Sequence, residues 1–336
     1  MIAAGGAVLL GCLLAMAYTP YQDPVRGEAV PIRWNDANVT WRLNPTLGSN
    51  LDTTGGPDVP TALATAFNAW PQSRLNGVQI NALSVTRGAD STKTDPDVND
   101  CLNVVSFVPS PAVSFATGVV AYTQIATVIP GTGQSGPPFT YSFCGGITTD
   151  FYSVIIDADM VFNPEWTFST ATPTPSDDLD LLSVASHEFG HLLGLDHNGI
   201  AHTLMYPFGD FGIGQTRDLA VDDVAGVAFL FPAANFATAT AAISGQVTLD
   251  GTGAFASHVV AVDSVTGLAV MDTLAAPDGS YILDGIPEGT YRILAIPLGD
   301  PLIMDDFSGW ACGYAANPDT CTDFPDNPID YSGTFF

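Results

Sequence analysis

The stretch His187-Glu188-Phe189-Gly190-His191-Leu192-Leu193-Gly194-Leu195-Asp196-His197 gathers three imidazoles and a carboxylate at spacings that could do chemistry together. On a helix, residues four apart project from one face, so the rings of His187 and His191 reach a common metal ion. Gly194 offers a turn with φ > 0, which stops the helix and brings His197 back as a third ligand. Three neutral imidazoles suit one Zn²⁺ and leave its fourth tetrahedral position open for water. Glu188, beside the pair, is placed to take a proton from that water as it attacks a carbonyl. Five fixed residues recur by chance in a chain of this length about once in ten thousand, so coincidence is a poor account of them. A core helix carrying these groups idly would have to find partners for buried imidazoles and a buried carboxylate.

Elements to position this stretch are legible around it. Asp177, Asp178 and Asp180 make an acidic first turn, with Ser176 as cap, for a helix beginning near Asp177. Leu181, Ala185, Leu192 and Leu195 supply its apolar content. Val39, Trp41 and Leu43 alternate with Thr40, Arg42 and Asn44, which predicts a half-buried strand. Ala62, Leu63, Ala66, Phe67 and Trp70 share one face of a helix over 59–70, with Asp58 as cap and Pro60 in the first turn. Strand-like runs follow at 78–85, 102–108, 119–129 and 154–162, separated by a polar loop at 87–100 and a Gly/Pro loop at 131–138.

Together with Thr203-Leu204-Met205-Tyr206-Pro207, the histidine stretch resembles the metzincin metalloendopeptidases, and within them the matrixin, matrix-metalloproteinase-like branch. The likeness extends over 30–231 and is tight over 176–231. It implies an α+β catalytic domain with a mixed, mostly parallel sheet and a long active-site helix. It further implies a secreted zinc endopeptidase acting on protein or peptide substrates, with Glu188 catalytic and His187, His191 and His197 on one catalytic Zn²⁺. Met205 is then the apolar floor of a Met-turn, and Gly194, Tyr206 and Pro207 are structural supports. Residues 219–227 resemble the family's C-terminal helix. Asp157-Ala158-Asp159-Met160-Val161-Phe162-Asn163 resembles the strand that lies along the bound peptide; as an edge strand it would add substrate to the sheet, and as an ordinary strand it would not. The departures are informative. No cysteine matches the inhibitory propeptide of that branch, Asn198 stands where its members usually have serine, and His202 and His258 are too few for a second zinc site and read as surface or core residues.

Acidic residues number 35 against 8 basic ones, a net charge of −27, with Lys93 the only lysine. That balance argues against nucleic acid or anionic membrane as partner, because both need a basic surface. The surplus acid reads as a solvated acidic surface, with Ca²⁺ as a second candidate ion. Residues 1–17 read as a signal peptide with Cys12 in its apolar run, although no Lys or Arg precedes that run. The four other cysteines pair most simply as Cys101–Cys144 and Cys312–Cys321, in keeping with a secreted or extracellular chain, with cell-surface association as the alternative. No further run of about 20 apolar residues predicts membrane insertion once the leader is removed.

Residues 232–241 are Ala/Thr-rich and read as a linker. Over 242–298 the pattern is strand-like, with turns at Asp250-Gly251, Pro277-Asp278-Gly279 and Pro287-Glu288-Gly289. Ser244-Gly245-Gln246-Val247 and 285–291 resemble the carboxypeptidase-regulatory-like, prealbumin-type all-β sandwich, usually a spacer or stability element. Contact with a surface or polymer is its sharper alternative role. The Cys-containing tail, 299–336, reads as part of a domain continued in a longer protein. A rival to the protease reading is a non-catalytic surface or adhesion protein on a metzincin scaffold, which the intact Glu188 and Met-turn disfavour.

Overall fold

A computed structural model of the chain describes residues 19–25, 28–97, 100–129, 136–212, 217–299, 301–315 and 334–335. The expected leader 1–17, Cys12, Cys321 and most of the 131–138 loop and the tail lie outside them. The chain enters through an antiparallel hairpin, β1 (Gln22–Val25) and β2 (Glu28–Pro31), then β3 (Arg33–Trp34) and β4 (Asn38–Leu43). After α1 (Val59–Gln72) come β5 (Ser84–Arg87), β6 (Val104–Ser106), β7 (Ala121–Val128) and β8 (Val154–Phe162), and then the helices α2 (Leu181–Leu193) and α3 (Val221–Leu230).

The alternation at 39–44 becomes β4, with Val39, Trp41 and Leu43 buried. The helical period at 59–70 becomes α1. Asp58 caps it by accepting from Thr61 N at 2.9 Å, and Val59, Ala62, Leu63, Ala66, Phe67 and Trp70 form its buried face. That face meets α2: Phe67 stacks on Phe189 with centroids 4.4 Å apart, and Trp70 Nε1 donates to Ser186 O at 3.0 Å. Burying Phe67 and Phe189 completely stabilises the contact by about 1.5–3 kcal/mol each.

The main sheet is mixed and built around β8. Strands β3 and β6 lie parallel to it on one flank, β4 continues parallel from β6 and β5 from β4, while β7 runs antiparallel along the other flank. All nine residues of β8 are buried, as expected of a strand covered on both faces. Two of them are acidic, and both are used internally. Asp157 Oδ2 accepts from Cys101 N at 2.7 Å, and Asp159 accepts from Asp97 N at 2.7 Å and Val104 N at 2.8 Å. Burial pushes Asp157 up to about 6 and Asp159 up to about 7. Part of the acidic surplus thus anchors a loop rather than facing solvent. The expected disulfide Cys101–Cys144 closes over the same region.

The strand expected at 78–85 shrinks to β5, because the preceding residues bond elsewhere: Ala82 N donates to Phe231 O at 2.7 Å and Ala233 N to Ile80 O at 3.0 Å. Those bonds also hold the stretch read as a linker. It contains α4 (Phe236–Ala239), and Phe236 packs on the buried cluster of Leu75, Ile80, Val224 and Ala228. Beyond it, β9 (Ala241–Gln246) pairs with β12 (Ser280–Ile286), and β10 (His258–Asp263) lies between β11 (Ala269–Leu274) and β13 (Tyr291–Ile296), all antiparallel. Leu230 and Phe231 share one buried cluster with Leu283, Ile286 and Phe255, so the core is continuous across both halves. A short α5 (Ser308–Ala311) follows. No helix among the described residues is long and apolar enough to cross a membrane.

Candidate metal centre

The start of α2 lies later than the sequence suggests. Asp180, not Ser176, is the cap, and Asp177 and Asp178 lie before the helix. Asp180 Oδ1 accepts from Ser183 N at 2.7 Å, while Arg217 Nε and Thr174 Oγ1 donate to the same carboxylate. Arg217 and these donors hold Asp180 below the usual carboxylate range against the opposing effect of burial. At the other end Gly194 adopts φ 109°, and its N–H closes the helix on Gly190 O and His191 O. A Cβ there would lie 3.1 Å from Ile32 O and 3.3 Å from Ile155 Cδ1, so glycine is required by conformation and by space.

The turn brings His197 back to the two helical histidines. Ring centroids are 4.7 Å apart for His187–His191, 5.2 Å for His187–His197 and 4.7 Å for His191–His197. One ring nitrogen of each lies within 4.8 Å of the others, and His187 Nε2 is 3.1 Å from His191 Nε2. Each Nδ1 meets a backbone carbonyl: Leu204 O at 2.7 Å for His187, Leu195 O at 2.8 Å for His191 and Asp306 O at 2.5 Å for His197. A proton on each Nδ1 satisfies those carbonyls and leaves three Nε2 lone pairs facing one point, a donor set that fits zinc. Burial pushes His187 down to about 3 and His197 down to about 4, and carries His191 well below its ordinary value. All three are therefore neutral at pH 7, as ligands must be. Among the described residues no other group of three or more His, Cys, Asp or Glu side chains converges in this way.

Glu188 is buried, and Thr123 Oγ1 lies 2.8 Å from Glu188 Oε2 and 3.0 Å from its backbone carbonyl. Burial raises Glu188 to about 7, opposed by the Thr123 hydroxyl. Thr123 belongs to β7, and the pairing of these strands decides between the two readings of 157–163 in favour of the ordinary strand. The strand 157–163 is internal, with partners on both flanks, whereas β7 pairs on one side only among the described residues and is the edge next to the helix. The hydrophobic pattern of β8 records burial but not which neighbour ends the sheet.

Met205 is buried against Gly190, which lies between the two helical histidines in sequence. Its turn is held by Asp223, whose carboxylate accepts from Leu204 N at 3.2 Å, Met205 N at 3.2 Å and Ala220 N at 2.7 Å. Tyr206 and Pro207 are half-buried where the chain leaves the turn, and Tyr206 meets Phe208 edge-on with centroids 5.7 Å apart. His258 is buried with Nε2 2.5 Å from Asp272 Oδ2, and His202 is exposed, so neither joins the triad. Sequence reasoning missed Thr123, Tyr21, whose Oη lies 2.9 Å from His191 Nδ1, and the carbonyl of Asp306. Only the period-2 run at 119–129 carried a trace of them.

Residues 145–232 match the sequence profile of the family described as Matrixin. Stromelysin-3 of Xenopus laevis is 40% identical over 77 residues, which is 23% of this chain and 15% of that protein. Metalloendoproteinase 2-MMP of Arabidopsis thaliana is 47% identical over 55 residues, 16% of this chain and 14% of that protein. Karilysin of Tannerella forsythia is 47% identical over 45 residues, 13% of this chain and 9% of that protein. The chain thus spans less than a fifth of the length of these relatives, and the family match includes His187, His191 and His197.

Proposed function

We propose that the chain is an exported zinc metalloendopeptidase, with residues 30–231 as its catalytic domain and peptide bonds of proteins as its substrate. The observation that carries the reading is the joint placement of three Nε2 donors and the buried carboxylate of Glu188, tied to a free sheet edge through Thr123. A zinc ion held by His187, His191 and His197 supplies Lewis acidity to a carbonyl and acidity to a water. Glu188 takes the proton from that water and delivers it to the leaving amine. A carboxyl raised to about 7 suits a group that must both accept and release a proton near neutrality. The outer edge of β7 offers main-chain N–H and C=O groups to an extended peptide, which aligns its scissile bond beside Glu188. Met205 and Asp223 keep the floor under the ligands rigid. Strands β9 to β13 fit the carboxypeptidase-regulatory-like sandwich over 242–298, read here as a stability element.

The test is cleavage of an unfolded protein by the full chain, with and without a zinc chelator, alongside Glu188→Ala. Chelator-sensitive cleavage that vanishes in a variant of unchanged zinc content supports the reading. A folded, zinc-loaded wild type that cuts nothing sinks it, and binding of the 242–298 region to surfaces becomes the next function to test.

A further inference from the structure

The helix itself places His187 and His191, but His197 sits beyond Gly194 on an irregular stretch. Within the matrixin-like segment that stretch is gripped at Asn198, whose N–H donates to Met205 O at 3.0 Å. Asp222 and Thr203 also reach the Asn198 side chain. Thr19 O accepts from Asp196 N at 2.6 Å, and the Thr19 hydroxyl donates to His197 O. The remaining grips come from far along the chain. Asp306 O accepts from His197 Nδ1 at 2.5 Å. Asp196, buried beside it, accepts from Trp310 N at 2.7 Å and from Gly309 N. Gly199 N donates to Asp272 Oδ2, on β11, at 2.7 Å. The segment that supplies Asp306, Gly309 and Trp310 is firmly seated. Phe307 and Trp310 are fully buried, and Trp310 stacks on Phe255 at 5.6 Å. Gly309 lies so close to Tyr21 that a Cβ would overlap the ring.

We infer that residues 302–311 are positioning residues of the metal centre, setting the tautomer and direction of the third ligand from outside the segment that matches the family. The physical reason is that a metal-binding imidazole needs its other nitrogen committed to an acceptor, and here that acceptor is a carbonyl 109 residues away. Holding Asp196 by two backbone N–H groups fixes the residue immediately before the ligand. Zinc affinity is therefore shared between the histidine helix and the C-terminal segment. The inference rests on the zinc reading of the triad.

Two measurements on the full chain test it. In the first, Gly309→Val is wedged against Tyr21 and zinc affinity is read by competition with a chromogenic chelator, with the melting temperature of the zinc-free protein as a control on folding. Loss of an outer contact of this kind weakens metal binding about 10–100-fold, and that drop in a variant that still melts cooperatively is the expected result. The second needs no variant. Reciprocity requires that zinc tighten whatever positions its ligand, so hydrogen exchange over 302–311 of the wild type slows when zinc is added, more than exchange over β13. A wild type that binds no zinc overturns the zinc reading and this inference with it. A wild type that binds zinc while exchange over 302–311 stays unmoved, or a Gly309→Val protein that binds as tightly as wild type, overturns the positioning role alone.

Discussion

Gly190 has no room for a methyl group. A Cβ at that position would press into Met205 Sδ and come 2.9 Å from Trp70 Cζ2, and both neighbours are buried with no free space to retreat into. For Gly190→Ala, replacing glycine inside a helix gains about 1 kcal/mol. Overpacking against a rigid indole and a confined thioether costs about 2–3 kcal/mol. The net expectation is a loss of about 1–2 kcal/mol. Met205→Ala alone removes a buried side chain and costs about 3 kcal/mol. In the double variant the contact with Met205 is gone and the helix can shift into the vacated space away from Trp70, so most of the overpacking is relieved and the helix gain of about 1 kcal/mol survives. The double variant should then lose only about 2 kcal/mol, against about 4–5 kcal/mol if the effects added, a coupling of about 2–3 kcal/mol. The assay is denaturant unfolding of the zinc-free full chain followed by tryptophan fluorescence and far-UV circular dichroism, whose coincidence checks that one transition is being read. Additivity within about 0.5 kcal/mol, or a Gly190→Ala protein more stable than wild type, would refute the reasoning.

The remaining predictions concern titrating carboxyls. Thr123→Val keeps the shape of β7 but removes the hydroxyl that holds Glu188 down, so the acid-side limb of a rate-against-pH profile should move to higher pH; an unmoved limb means that the hydroxyl does not act on this group. Asp159, raised to about 7 in the folded chain, keeps its proton there while the unfolded chain has lost it, so its contribution to stability falls as pH rises from about 4 to about 7. Between pH 5 and pH 8 the stability of Asp159→Asn relative to wild type should therefore improve by about 2–3 kcal/mol, measured by denaturant midpoints at both pH values. A relative stability that is flat or moves the other way contradicts the burial assigned to Asp159.

What the sequence disclosed was set by short-range chemistry. The spacing of His187, His191 and His197 and the turn at Gly194 need only local geometry, and the helix delivers them as read. The apolar face of α1 and its Asp58 cap are likewise local. The start of α2 was ambiguous because Ser176, Asp177, Asp178 and Asp180 are all competent caps. Arg217, 37 residues further on, and the nearby Thr174 pair with Asp180 and break the tie. The edge strand stayed undecided because apolar patterning records burial without naming the neighbour that causes it. Thr123 is legible only as one residue of a strand-like run, and the carbonyl of Asp306 not at all. A hydroxyl in a strand and a main-chain oxygen become part of a site only through tertiary approach, and a backbone carbonyl leaves no trace in residue identity.

The contact between His197 and Asp306 also has a consequence in time. Translation at about 5–20 residues per second separates the emergence of the two partners by roughly 5–20 s, because 109 residues lie between them. During that interval a nascent chain holds the histidine helix and its Met-turn but lacks the oxygen that orients the third ligand. A chain stopped short of the C-terminal segment is left in the same state. The arrangement couples completion of the metal centre to synthesis of the segment around Asp306, so full-strength zinc capture waits for residues 302–311 and its maturation is paced by synthesis itself.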